Sequence, residues 1–504
     1  MISQLKLKLN NKILIGIAFC GFVLLCSGIY IGTKVFPEIV TNKIWETKIL
    51  KENTEQWDMF MKMPFPFTFK ICIFDVQNPD AILQGEKPVV KEAGPYVYKV
   101  YKWKSEVEWQ ANDISYHGYM RFEFDQQASG KCAEEDMVTI LNTPYNTMLL
   151  TVEATQPSML SMLESVTPGV FGENDGLFIK VKVKDYLFDG LKMCVNGGKD
   201  GGFASGMACK QIIAKIKETN NMRMVDNTVL FSNLYYKNVS HQGRFTIHSG
   251  KDNREETGVL KLFNDKNYIS TWLGETSLCN KIRGVTTVFP AQVKKTMVFE
   301  SFAEDICRAM ALRFEEEKKV KGILGYKFVA ANDSFSVVKE DNSCYCVNKS
   351  KTLQGEFGCL KNGLGDLTTC TGAPVLVSFP HLLHADPEYI SSVVGLQPNA
   401  SKHETFVTLE PISGFPLELA QRVQFNMFIR PFEDITNLEN VTKAIVPLVW
   451  VEESTVLGDE YIDKLKNELF RNLMILDIVK WGFIGSGIAS ILLAFFLFIY
   501  MKAP

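Results

Sequence analysis

The sequence predicts an α+β membrane protein in which two transmembrane helices flank a large, strand-rich ectodomain. Three observations carry that reading. Two apolar segments, Ile13–Thr33 and Trp481–Met501, contain no charged residue. Each runs for about 20 positions, the length a helix needs to cross roughly 30 Å of hydrocarbon. All five N-glycosylation sequons, beginning at Asn238, Asn332, Asn348, Asn399 and Asn440, lie between those segments, and such sequons are used only on the lumenal or outer side. Between the segments, alternating strand patterns dominate.

The first apolar segment is too long for the core of a cleaved signal peptide, and no clear small-residue cleavage site follows it. The second is preceded by Leu473, Met474, Ile475, Leu476 and Trp481 instead of the small residues and polar spacer of a lipid-anchor signal. Lys6, Lys8 and Lys12 precede the first span and Lys502 follows the second, so the positive-inside rule places both tails in the cytoplasm. The expected organisation is a cytoplasmic tail over residues 1–12, a span over 13–33, a glycosylated ectodomain over 34–480, a span over 481–501 and a second tail over 502–504. The expected location is the plasma membrane. With the tail lysines set aside, the outer portion is more acidic than the chain's net charge of −3, which argues against a nucleic-acid partner. Gly28-x-x-x-Gly32 and Gly482-x-x-x-Ser486-x-x-x-Ser490 would allow close helix pairing in the membrane.

After the first span, residues Val35–Met63 read as a helical stalk that ends at Pro64-Phe65-Pro66, because proline disfavours helix in the residue before it. Before the second span, Asp459 would cap a helix carrying Tyr461, Leu465, Leu469 and Leu473 on one face. Between the stalks, Tyr96–Tyr101, Ile179–Val183, Phe406–Leu409 and Val423–Phe428 alternate as half-buried strands do. Their wide separation suits a large antiparallel sheet or barrel. Residues 134–166 are the exception. Asn142-Thr143-Pro144 opens one short helix and Pro157 another, with Met159, Leu160, Met162, Leu163 and Val166 at helical spacing.

Of twelve cysteines, Cys20 and Cys26 lie within the first span and ten lie outside, where disulfides persist. Six fall between Cys279 and Cys370 and allow 15 pairings. The Cys344-Tyr-Cys346 spacing does not suit zinc. No nucleophile elbow, phosphate loop or dinucleotide fingerprint appears, and Gly197–Gly202 reads as a flexible loop. His381 and His384 are flanked by Pro380 and Pro387 and read as structural. The expectation is no catalytic residue, no metal and no cofactor.

The chain resembles the class B scavenger receptor and fatty-acid translocase family along essentially its whole length. The resemblance rests on both spans, Ile73–Pro79, Gly94–Tyr98, Glu304–Arg308, Cys344–Cys346, Gly372–Pro374, Ser378–His381, Glu410–Gly414 and Gln421–Asn426. Within the family, Phe178–Gly190 and the extra pair Cys194 and Cys209 are most similar to the insect sensory neuron membrane branch. The resemblance implies an irregular antiparallel β-barrel, a helical cap near residues 134–166 and a lipid tunnel. It also implies disulfides Cys279–Cys344, Cys307–Cys370 and Cys346–Cys359, with Cys194–Cys209 as a fourth. Cys72 and Cys132 are left without assigned partners. Where the family's fatty-acid translocase carries a capture lysine, this chain has the acidic stretch Gly172–Phe178, which favours neutral ligands over carboxylates.

The function so implied is a receptor, not an enzyme. It captures a lipid-like ligand, a pheromone in the sensory reading, and passes it to membrane lipids or to an odorant receptor complex. Met159, Leu160, Met162 and Leu163 are the expected point of ligand access. The alternatives are a scavenger receptor for lipids, lipoproteins or cell debris, and a protein-binding trafficking receptor with no lipid flow. Neither the ligand nor the oligomeric state is written in the sequence.

Overall fold

The computed structural model describes residues 11–348 and 350–502. Lys6 and Lys8, on which the orientation argument partly rests, lie outside the described residues. The chain divides into two compact units, one formed by the terminal segments up to Lys48 and from Leu457 with Lys321–Ile323, the other by Ile49–Val320 and Leu324–Val456.

In the terminal unit, one continuous helical stretch covers Lys12–Lys48 and a second Asp459–Lys502, and both are long and apolar enough to cross a membrane. A Cβ on Gly21 would lie 2.9 Å from the Gly487 carbonyl, and one on Gly28 2.9 Å from Phe483 Cβ, so these glycines set a close helix–helix approach. Gly32 also faces the second helix, against the Lys480 side chain, but Gly482 faces nothing; Gly487 takes the place expected of it. Away from that seam the helices expose Ile15, Phe19, Phe22, Phe495 and Phe496, as lipid-facing surfaces do. The first stalk is shorter than expected. Its helix ends at Lys48, and a separate short helix, Glu55–Met61, follows in the second unit, capped by the Thr54 hydroxyl. Asp459 does not cap its helix. Gly458 holds that position, and the Asp459 carboxylate accepts from Lys321 Nζ at 2.7 Å.

The second unit is built on a 13-stranded sheet in which every described pairing is antiparallel. Strand formation follows the alternation: Tyr98 and Val100 are buried while Lys99 between them is exposed. Phe67–Val76 lies between Val90–Gln110 and Ala444–Val456, so distant parts of the chain meet at the middle of the sheet. Glu452 sits there between Lys70 Nζ at 2.8 Å and Arg422 Nε at 2.6 Å. Burial pushes its carboxyl up, but the two cations outweigh that and hold it below the usual range.

The sheet's edge strands are Leu260–Phe263 and Val298–Ala303, and the segment around Gly284 bridges them. Leu260 N donates to the Gly284 carbonyl at 2.8 Å, and Val285 N donates to the Glu300 carbonyl at 2.8 Å. Gly284 has φ +109°, and a Cβ there would lie 2.3 Å from the Glu300 oxygen. Only glycine fits, and through it the open path closes into an irregular barrel.

The region expected to be two helices over residues 134–166 differs in three ways. It begins with a strand, Met137–Leu141, paired antiparallel with Phe178–Lys182. Asn142 then caps a first helix, Thr143–Thr155, and a second runs from Leu160 to Phe171, past the expected boundary. A third helix, Gly202–Lys215, joins them. A Cβ on Gly169 would lie 2.5 Å from Gly201 Cα, and one on Gly198 would lie 2.5 Å from Cys209 Sγ. The glycine-rich segment expected to be flexible is therefore a tightly packed turn with Gly197 and Gly198 at positive φ.

Disulfides join Cys194 to Cys209, Cys279 to Cys344, Cys307 to Cys370 and Cys346 to Cys359. Cys72 and Cys132 are free, and burial pushes the Cys72 thiol well up.

Candidate functional site: an apolar cavity under three helices

A cavity of about 840 Å³ lies between the three cap helices and the barrel strands. Its walls follow from periodicity. On the first helix, Thr147, Met148 and Thr151 line it; on the third, Ala204, Met207, Ala208 and Gln211 do, the three- and four-residue spacing of one helical face. On the Pro416–Ile429 strand, Val423 and Phe425 line it, while Gln424 between them faces the other way and accepts from His381 N at 2.6 Å. Phe69, Ile71, Met120, Phe122, Leu448, Val449 and Val451 complete the barrel side. Seven of the chain's 18 methionines line the cavity: Met120, Met148, Met159, Met162, Met193, Met207 and Met222. Flexible, polarisable side chains of this kind adapt to varied apolar shapes.

Of the four residues expected to admit ligand, Met159, Met162 and Leu163 line the cavity and Leu160 does not; both leucines are buried in the core. Met159 and Met162 remain 42% and 49% exposed, and Phe203, on the third helix, 86%. Exposed residues that also line the interior mark its mouth at the cap. The third helix, with Phe203 and Met207, was not expected from the sequence. Its signal was present, since Cys209 lies eleven residues after Gly198, too far for a simple turn. Glu173 and Asp175, the acids expected to influence ligand charge, are not lining residues; both are exposed, and partial desolvation pushes the Asp175 carboxyl up.

At Phe302 the cavity wall passes into a packed aromatic cluster. Along the Val90–Gln110 strand, Tyr98 bonds Glu134 below the cap at 3.0 Å, Lys102 lines the cavity, and Lys104 lies beyond. Lys104 Nζ donates to the Phe60 carbonyl at 2.6 Å and sits 4.2 Å from that ring's centroid. Phe302 lines the cavity and also packs in the cluster of Phe60, Tyr116, Ile247 and Leu260. Burial, aided by Lys102, pushes the Lys104 amine down to about 7.

Asn238, Asn332, Asn348, Asn399 and Asn440 are all exposed. His381 Nε2 lies 2.7 Å from Glu92 Oε2 and its Nδ1 accepts from Gln397 N, so its ring is engaged on both sides. His384 stands apart from that pair, edge-on to Phe379. Among the described residues, no group of three or more His, Cys, Asp or Glu side chains is placed to hold a metal ion.

The profile of the CD36 family matches residues 19–498. The chain is 31% identical to Sensory neuron membrane protein 2 of Drosophila melanogaster, over 94% of this chain and 95% of the relative. It is 32% identical to Sensory neuron membrane protein 1 of Apis mellifera, over 93% of this chain and 88% of the relative. It is also 32% identical to Sensory neuron membrane protein 1 of Pediculus humanus subsp. corporis, over 92% and 88%. Two membrane-spanning helices, a closed antiparallel barrel and a family match over nearly the whole length agree: the chain is a membrane receptor of the CD36 family.

Proposed function

We propose that this receptor captures a lipid-like ligand at the cap and carries it within the barrel toward the membrane or a neighbouring receptor. The observation that supports this most is the methionine-rich cavity of about 840 Å³ with its mouth at Met159, Met162 and Phe203. Burial is the mechanism, since each CH₂ moved from water into such a space gains about 0.8 kcal/mol. The ligand class of an insect sensory neuron is the reading favoured by the names of the relatives, with an odorant receptor complex as the recipient. In this reading the protein sits in the plasma membrane with the glycosylated portion outside and both termini in the cytoplasm.

The experiment fills the cavity. Ala204→Trp on the third helix and Val423→Trp on the barrel wall replace lining side chains with bulk. Transfer of a fluorescent single-chain lipid to cells is measured at matched surface expression. Loss of transfer in both variants supports the reading. Wild-type transfer in both would mean that ligands act from the surface.

A further inference from the structure

The apolar cavity carries one concentrated polar strip. Lys102, Lys237, Glu304, Asp305 and Glu453 all line it. Lys237 Nζ pairs with Asp305 Oδ2 at 2.5 Å, and Lys102 Nζ pairs with Glu453 Oε1 at 2.5 Å. Both cations of the strip are thus engaged, and within it three carboxyl groups face two amines; the cavity's other lining amine, Lys215, lies on the third cap helix. Tyr236, also on the wall, donates to Asp305 Oδ1 at 3.3 Å.

Such a strip inside an apolar wall costs solvation unless it serves something. Barrel packing alone would be met by apolar side chains. A ligand with one polar end and one hydrocarbon chain matches the division of the surface: chain along the methionines, headgroup at the strip. The charge count then selects among headgroups. A carboxylate would bring a fourth acidic group to two amines that are already paired. Its charge would be repelled by Asp305 and Glu453, which already hold the two amines. An alcohol, ester or aldehyde needs only a hydrogen bond, which the lysine ammonium groups can donate without giving up their carboxylates, since each has three N–H donors. Burial, with Asp305 beside it, pushes the Glu304 carboxyl up.

We propose that the strip of Lys102, Lys237, Glu304, Asp305 and Glu453 is the headgroup site of the cavity and that it selects single-chain lipids with an uncharged oxygen headgroup over fatty carboxylates. This rests on the proposed lipid-binding function of the same cavity. Its test uses the full-length receptor in nanodiscs and three probes of equal chain length: a C16 alcohol, its acetate ester and the C16 carboxylic acid.

At pH 7.5 the alcohol and the acetate bind at least tenfold tighter than the acid. Asp305→Asn and Glu304→Gln, which leave the lysines in place, raise acid affinity and shrink the gap. Lys237→Met weakens the alcohol and acetate. Val423→Trp, outside the strip, weakens all three probes together. Equal or tighter acid binding by the wild type overturns the headgroup assignment while leaving lipid binding standing. A preserved gap in both Asp305→Asn and Glu304→Gln also overturns it, because the selection would then lie elsewhere. Failure of every probe to bind overturns the cavity's proposed function itself.

Discussion

The third cap helix, Gly202–Lys215, supplies Phe203, Ala204, Met207, Ala208 and Gln211 to the cavity wall, and the Cys194–Cys209 bridge is its covalent anchor. Replacing both cysteines with serine frees a loop of 15 residues. In the chain-entropy account a closure of that size is worth about 3 kcal/mol, or a rise of about 10²-fold in the equilibrium for opening the helix. Hydrogen exchange read on residues 202–215 of the full-length protein should accelerate by that factor, while the barrel strands stay protected. A ligand held against this helix should restore much of the loss: at 100 times its Kd, binding contributes about 2.7 kcal/mol. Unchanged exchange in the double variant would refute the reasoning. It would mean that the close approach of Gly169 to Gly201, where a Cβ would meet the opposing Cα at 2.5 Å, holds the helix without the disulfide.

Lys104 makes stability depend on pH. Its folded pKa of about 7 lies below the unfolded value of about 10.4, so the unfolded chain binds the extra proton between those values. Its contribution to stability therefore rises as pH increases from 7 to 10. Lys104→Met should remove that slope and raise the melting temperature at pH 7, as measured by paired thermal scans. Gly284→Ala should lower the melting temperature sharply, since φ +109° alone costs an alanine roughly 1–3 kcal/mol; an unchanged value would show that the barrel closure does not depend on this bridge. Glycosidase treatment of protein from insect cells should increase gel mobility, and single Asn→Gln changes at each of the five sequons should each remove one step. A mobility indifferent to enzyme would reverse the topology.

Features set by local pattern were legible in the sequence, and features set by tertiary packing were not. The two spans could be read because a bilayer demands an uninterrupted apolar run. The Val423–Phe428 alternation marked a strand, and the structure turns Val423 and Phe425 to the cavity and Gln424 to a buried polar network. By contrast, Gly197–Gly202 looked flexible because glycine is permissive. Its real use is contact: Gly198 makes room for Cys209, and Gly201 for Gly169. Asp459 looked like a cap by residue type, but Lys321, 138 positions away, takes its carboxylate. The four-residue access stripe lost Leu160 because a helix stripe that packs on a core has two edges, and only tertiary neighbours decide which edge faces the cavity. The polar strip was not legible because Lys102 and Glu453, like Lys237 and Asp305, are distant in sequence and meet only in the tertiary fold.

Photo-crosslinking tests the central claim, that a lipid occupies the interior, most directly. A single-chain lipid bearing a terminal diazirine is added to cells expressing the full-length receptor, irradiated, and mapped by peptide sequencing. The account predicts labels on cavity-lining residues of the cap helices and the barrel wall, such as Met148, Met207, Val423 and Phe425, and loss of those labels in Ala204→Trp. Labels confined to exposed residues outside the cavity, unchanged by that substitution, would contradict it.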